Sequence, residues 1–157
     1  MAKPVNQQKP LYTPQGCIFQ YDEYSCGETA IFNALKLKYK RNIPILKIKG
    51  YCKPARKGMS SKELQRGLTR AGAKYLIMVP STPTDILKAI KTFKVGILQW
   101  VWPHKKSGHY AVIIYYKKQY LLVNYNKKQL FKLAGEKTLN YCIRTKKWGA
   151  PKLYILY

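Results

Sequence analysis

Four side chains, in a fixed order along the chain, could together perform thiol chemistry. Gln20 lies six positions before Cys26, and Gly27 follows the cysteine. Ala30, Ile31, Ala34 and Leu35 continue at helical spacing, so Cys26 opens an amphipathic helix. A thiol there sits in the positive end of the helix dipole, which favours thiolate, the nucleophilic form. Gln20 is a candidate amide donor to an oxyanion formed beside that sulfur. Far downstream, Gly108-His109-Tyr110-Ala111-Val112-Ile113-Ile114 places a histidine at the mouth of a strand, where it can accept the thiol proton. The next strand, Tyr120 to Asn124, ends in an amide that can orient an imidazole, and Asn126 is a competing choice. Cys26, His109, Asn124 and Gln20 form a complete set for acyl chemistry through a covalent thioester.

Each of these residues also has an ordinary reading. A cysteine is most often a small core residue, and an asparagine at a strand end is common turn chemistry. It is their order and placement together that point to a site. Gly27 is expected to let a substrate backbone approach closely. Of the two histidines, His104 in the loop after Trp102 is read as solvent-facing. Asp22, Glu23 and Glu28 crowd around Cys26, half of all six acids in the chain. Glu28 suits a helix start; Asp22 and Glu23 are read either as loop residues or as contacts for a basic substrate.

The elements that must hold these residues follow from pattern. Met1–Pro14 reads as a basic N-terminal arm, and residues 15–157 as a single domain. A helix is expected from Cys26 to about Lys38. Pro44 to Gly50 could include a short helix. Ser60-Ser61-Lys62-Glu63 reads as an N-cap and first turn of a helix ending before Gly72. Lys74–Val79 is a strand candidate, and Asp85 to about Thr92 a helix. Strands are then expected at Val95–Trp102, His109–Tyr116, Tyr120–Asn124 and near Gln129–Leu133, with Leu153–Tyr157 closing the sheet. Helices first and a meander afterwards argue an α+β fold, with N-terminal helices packed on a C-terminal antiparallel sheet.

These residues resemble the papain-like cysteine peptidases that process double-glycine leader peptides of bacteriocins, including stand-alone relatives. The resemblance rests on Gln20, Cys26-Gly27, the small residues from Ala30 to Leu35, and Gly108-His109-Tyr110. Met59 to Leu64, with Gly67-Leu68 and Gly72, is similar to the second helix of that family and its exit. The likeness spans about Gln15 to Leu133. It implies a papain-like fold and a peptide or protein substrate, with no metal or organic cofactor. It also implies Cys26 as nucleophile, His109 as base, Asn124 as the residue that orients the base, and Gln20 as oxyanion donor. Two positions depart from the family pattern. Ser25 stands where an acid usually precedes the cysteine, and Asn124-Tyr125 stands where Asp-Pro is usual.

Charge is the second strong signal. Lys and Arg total 30 against six acids, a net charge of +24. Such a surface attracts polyanions, with DNA or RNA the commonest, bound without sequence preference. No helix-turn-helix, zinc-finger or RNP signature is present. The basicity suggests a viral protein near packaged nucleic acid, with capsid proteins as further partners. A virion-associated structural or nucleic-acid-binding protein retaining a peptidase fold is the alternative reading, and an acyltransferase or amidase a third. The four cysteines show no metal spacing and read as free thiols. No apolar run reaches a membrane span, and the N-terminus lacks a signal-peptide core. A cytoplasmic or virion-associated location is therefore expected.

Overall fold

A computed structural model of the chain describes residues 9–102, 107–144, 149 and 151–157. Helix α1 is Cys26–Tyr39, α2 Ile45–Cys52, α3 Ser61–Arg70, α4 Pro83–Phe93 and α5 Glu136–Ile143. The strands are β1 Tyr75–Met78, β2 Val95–Trp102, β3 Ser107–Tyr116, β4 Gln119–Val123, β5 Phe131–Leu133 and β6 Lys152–Leu156. They form one antiparallel sheet in the order β1-β6-β2-β3-β4-β5. This is the α+β arrangement expected, with two additions. Strand β6 does not close an edge but lies between β1 and β2. Helix α5 has no counterpart in the sequence reading.

Both faces of the sheet are covered, which explains why its strands read as continuous apolar runs. Alternate residues divide between two cores. Ile97, Val112, Ile114, Leu121, Val123 and Tyr154 face α1, α2 and α3, meeting Ile31, Leu35, Ile48, Leu64 and Leu68. Leu98, Trp100, Ala111, Ile113, Leu122 and Leu153 face α4 and α5, meeting Ile86, Ile90, Leu139 and Ile143. Helix α1 is central, with Ala30, Ile31, Asn33, Ala34 and Leu35 all buried. The short stripe Leu139, Cys142, Ile143 is the apolar face that seats α5.

Local chemistry sets the boundaries. Ser60 and Glu63 form a reciprocal capping box at the start of α3, as the sequence indicates. Thr82 and Asp85 form another at α4, which begins at Pro83, the N1 position that proline suits. The β3–β4 hairpin turns on Lys117 and Lys118, both at positive φ (46° and 63°), a type I′ geometry usually given to Asn-Gly. The described part of the arm rests on this hairpin. The Leu11 N–H donates to Gln119 Oε1 at 2.7 Å, and Gln119 Nε2 donates to the Tyr12 carbonyl at 3.2 Å. Residues 1–8 of the arm, and His104, lie outside the described residues.

None of the four cysteines forms a disulfide among the described residues. Cys52 and Cys142 are fully buried. Burial above all pushes each thiol up to about 12, with the Glu28 and Glu63 carboxylates adding to it at Cys52. Both thiols ionise near 8.5 in an unfolded chain. Above that pH the unfolded state has released protons that the native state still holds. Stability is then level below about pH 8.5 and falls as pH rises, by about 1.4 kcal/mol per pH unit for each thiol. Urea midpoints measured from about pH 8 to 10.5 should decline, and less steeply in Cys142→Ala. A flat midpoint, or an unchanged slope in the variant, contradicts this.

Candidate active site

Cys26 is the first residue of α1 and is 7% exposed. The main-chain N–H of Tyr110, one residue beyond His109 on β3, acts on the thiol in the direction of thiolate, so β3 and the helix start come together at this sulfur. Burial pushes the Cys26 thiol above its ordinary value, the Tyr110 N–H pulls it down, and Glu28 pushes it up. The N–H groups of Cys26 and Gly27, at the open end of the helix, pull it down further. The helix end therefore favours thiolate, as the sequence predicts, but burial outweighs it in the resting site.

His109 lies on β3 and is 6% exposed. Its Nε2 is 2.9 Å from the main-chain carbonyl oxygen of Asn124. A carbonyl only accepts, so Nε2 carries the proton and Nδ1 holds the lone pair in the neutral ring. Trp100 and Trp102 wall the imidazole, with ring centroids 5.0 and 5.5 Å away. Tyr125 packs on both tryptophans. This wall keeps water from the ring and its carbonyl partner. Trp100 and Trp102 share one face of β2 by alternation, and the strand register sets Trp100 opposite His109.

Asn124 sits just past β4, 1% exposed, at a positive φ of 60° that asparagine tolerates. Its side chain faces the Gln20 segment: the Gln20 main-chain N–H donates to Asn124 Oδ1 at 3.2 Å, and Asn124 Nδ2 donates to Gln20 Oε1 at 3.0 Å. Gln20 Nε2 in turn donates to the Asp22 carbonyl at 2.7 Å. Asn126, the alternative, spends its side chain on its own turn, accepting from Lys128 and Gln129 main-chain N–H groups at 2.9 and 2.8 Å. It also donates to Gln129 Oε1.

The loop carrying Gln20 is braced from below by residues that sequence reasoning missed. Asn33, fully buried in α1, accepts from the Ile18 N–H at 2.9 Å and donates to the Ile18 carbonyl at 3.0 Å. Ser25 Oγ accepts from the N–H groups of Tyr21 and Asp22 at 3.0 and 3.2 Å. A hydroxyl thus braces the loop at the position where an acid was expected, without burying a charge. Asp22 serves the same loop, accepting from the Tyr24 N–H at 2.8 Å. Glu23 forms an exposed ion pair with Lys127 at 3.2 Å.

Gly27 has a different use from the one expected. A side chain there would strike Met59, whose sulfur would lie 2.7 Å from the added carbon. The glycine admits Met59 rather than substrate. Met59 is held in turn by its carbonyl, which accepts from the Tyr110 hydroxyl at 3.0 Å.

A cleft of about 990 Å³ runs over these groups. Gln20, Cys26 and His109 line it, together with Met59, Trp102 and Tyr125. A helix-borne cysteine and a strand-borne histidine that line one cleft in this α+β frame fit the papain-like class of cysteine peptidases. The family model described as peptidase C39 matches residues 15–140, and the chain belongs to the peptidase C39 family. Among solved structures, the peptidase domain of Streptococcus ComA, a bifunctional ABC transporter involved in a quorum-sensing pathway, has a similar fold. The two chains are 14% identical with a TM-score of 0.63, over 87% of this chain and 93% of that one. A comparison with curated proteins gives no match. Among the described residues, no helix is long and apolar enough to cross a membrane.

Proposed function

We propose that the protein cleaves a peptide bond of an extended substrate by covalent catalysis at Cys26. His109 Nδ1 takes the Cys26 proton, and the sulfur attacks the scissile carbonyl carbon. Gln20 Nε2 and the Cys26 main-chain N–H hold the resulting oxyanion. The intermediate collapses as His109 returns the proton to the leaving amine, which breaks the C–N bond and leaves a thioester. Water, deprotonated by the same ring, then attacks the thioester and frees the thiol. The Asn124 carbonyl fixes the ring by accepting from Nε2–H throughout. The observation that carries this reading is the convergence of Cys26 and His109 on one cleft, with the imidazole held from behind at 2.9 Å. Brief iodoacetamide treatment and peptide mapping test it. Cys26 takes the label first; labelling of Cys17, Cys52 or Cys142 with Cys26 intact contradicts it.

One observation favours a second property, polyanion contact. Among the described residues a single ion pair, Lys127–Glu23, is present. Glu63 and Asp85 accept main-chain N–H groups at helix starts, and Glu28 is buried. Apart from Glu136, an exposed first-turn residue of α5, the acids are thus committed elsewhere, and the lysines and arginines are largely uncompensated. We propose non-specific binding of DNA or RNA, in keeping with the virion-associated or cytoplasmic setting expected from the sequence. Random single-stranded and duplex oligonucleotides should bind at about 50 mM salt and lose about 10³-fold or more in affinity at about 200 mM. No binding at the lower salt contradicts this property and leaves the peptidase reading untouched.

A further inference from the structure

Any residue at position 124 would offer His109 a main-chain carbonyl, so that contact does not explain an asparagine. The side chain is spent on Gln20. Two main-chain groups settle how both amides point. The Gln20 N–H can only donate, so the Asn124 atom facing it is Oδ1. The Asp22 carbonyl can only accept, so the Gln20 atom facing it is Nε2. Asn124 Nδ2 then meets Gln20 Oε1 as donor to acceptor, at 3.0 Å. The run is closed at every step, and Asn124 is shielded from water that could compete for it.

We propose that Asn124 is the positioning residue of the oxyanion donor. Its side chain pins Gln20 Oε1, which leaves the second N–H of Gln20 Nε2 for the oxyanion beside Cys26. Its main-chain carbonyl separately holds His109. One residue past β4 thereby sets both the electrostatic and the basic arm of the site. The inference rests on the peptidase reading above.

Asn124→Gly is the clean test, because it removes the amide, keeps the carbonyl and suits the positive φ. The probe is acylation of Cys26 by p-nitrophenyl acetate at about pH 7, read by peptide mapping. The pH profile of Cys26 alkylation by iodoacetamide reports His109 separately. Gln20→Ala should slow acylation about 100-fold and Asn124→Gly about 10- to 100-fold. The double variant should be no slower than Gln20→Ala alone, since both changes remove one device. The alkylation profile of Asn124→Gly should overlay that of the wild type. Additive losses, or a displaced alkylation profile, would overturn the proposal, because the side chain would then act on His109. Asn124→Asp gives a second arm should the glycine variant unfold. It presents an oxygen to Gln20 Oε1, so acylation should slow about tenfold or more; retained or faster acylation overturns the proposal. A wild-type protein that does not acylate at Cys26 sinks the peptidase reading itself, whereas acylating wild type with either contrary result sinks this inference alone.

Discussion

Cys26→Ala and His109→Ala should each lower hydrolysis by orders of magnitude, on the order of 10⁶-fold for a susceptible peptide. The two losses do not multiply. Without the sulfur no thioester forms, and without the imidazole a buried thiol has no acceptor for its proton. The second point is sharp here because burial pushes the Cys26 thiol upward. The amides at the helix end offset that burial only in part, so in the proposed mechanism the resting thiol depends on His109 for activation. The double variant should therefore match the single ones, with activity resting on residual binding and the oxyanion donors. Hydrolysis by Cys26→Ala at the wild-type rate would point to another nucleophile or a contaminating protease.

Trp100→Ala should cost about 3–5 kcal/mol of stability, among the largest effects available to a single substitution in this chain. Trp100 is fully buried, packs edge-on to Trp102 and His109, and stacks with Tyr125. Its removal opens a cavity beneath the imidazole and lets water reach the His109–Asn124 bond, so activity should fall with stability. Trp100→Phe separates volume from polarity. The indole Nε1 is buried with no hydrogen-bond partner among the described residues, and leaving such a group unpaired costs about 1–3 kcal/mol. Phenylalanine discards that liability along with part of the ring. Its net cost should thus be about 1 kcal/mol or less. Urea denaturation of both variants checks the pair. Equal losses in Phe and Ala would show that the indole N–H, not the ring volume, matters at this position.

The site was legible in the sequence where local chemistry announces itself. Cys26 follows a loop and opens a helix, and His109 starts a β-branched run; either can be read from a window of ten residues. The capping pair Ser60–Glu63 is equally local, whereas the pair Thr82–Asp85 was not read and the start of α4 was placed at Asp85 instead of Pro83. What could not be read depends on partners distant in sequence. Alternation places Trp100 and Trp102 on one face of β2, but only the register with β3 makes that face the wall of His109. Gly27 looked like room for substrate because nothing in the sequence places Met59 against it. Asn33 reads as an ordinary polar residue on a helix until Ile18 folds back onto it. The position of β6 inside the sheet is a choice among strand edges that no local pattern encodes. Helix α5 was within reach, since Gly135, Glu136 and the stripe Leu139, Cys142, Ile143 are start and face signals. At two turns the stripe is too short to stand out from irregular chain.

The claim at the centre of this account is that His109 supplies the reactivity of Cys26. The pH dependence of Cys26 alkylation by iodoacetamide, compared between wild type and His109→Ala, tests it most directly. With the imidazole present to accept the proton, alkylation should remain appreciable near neutral pH, where a lone buried thiol is unreactive. In His109→Ala only a single rise should remain, displaced above the ordinary thiol value, as burial of Cys26 dictates. Identical single rises in the two proteins would contradict the account, because the histidine would then contribute nothing to the thiol.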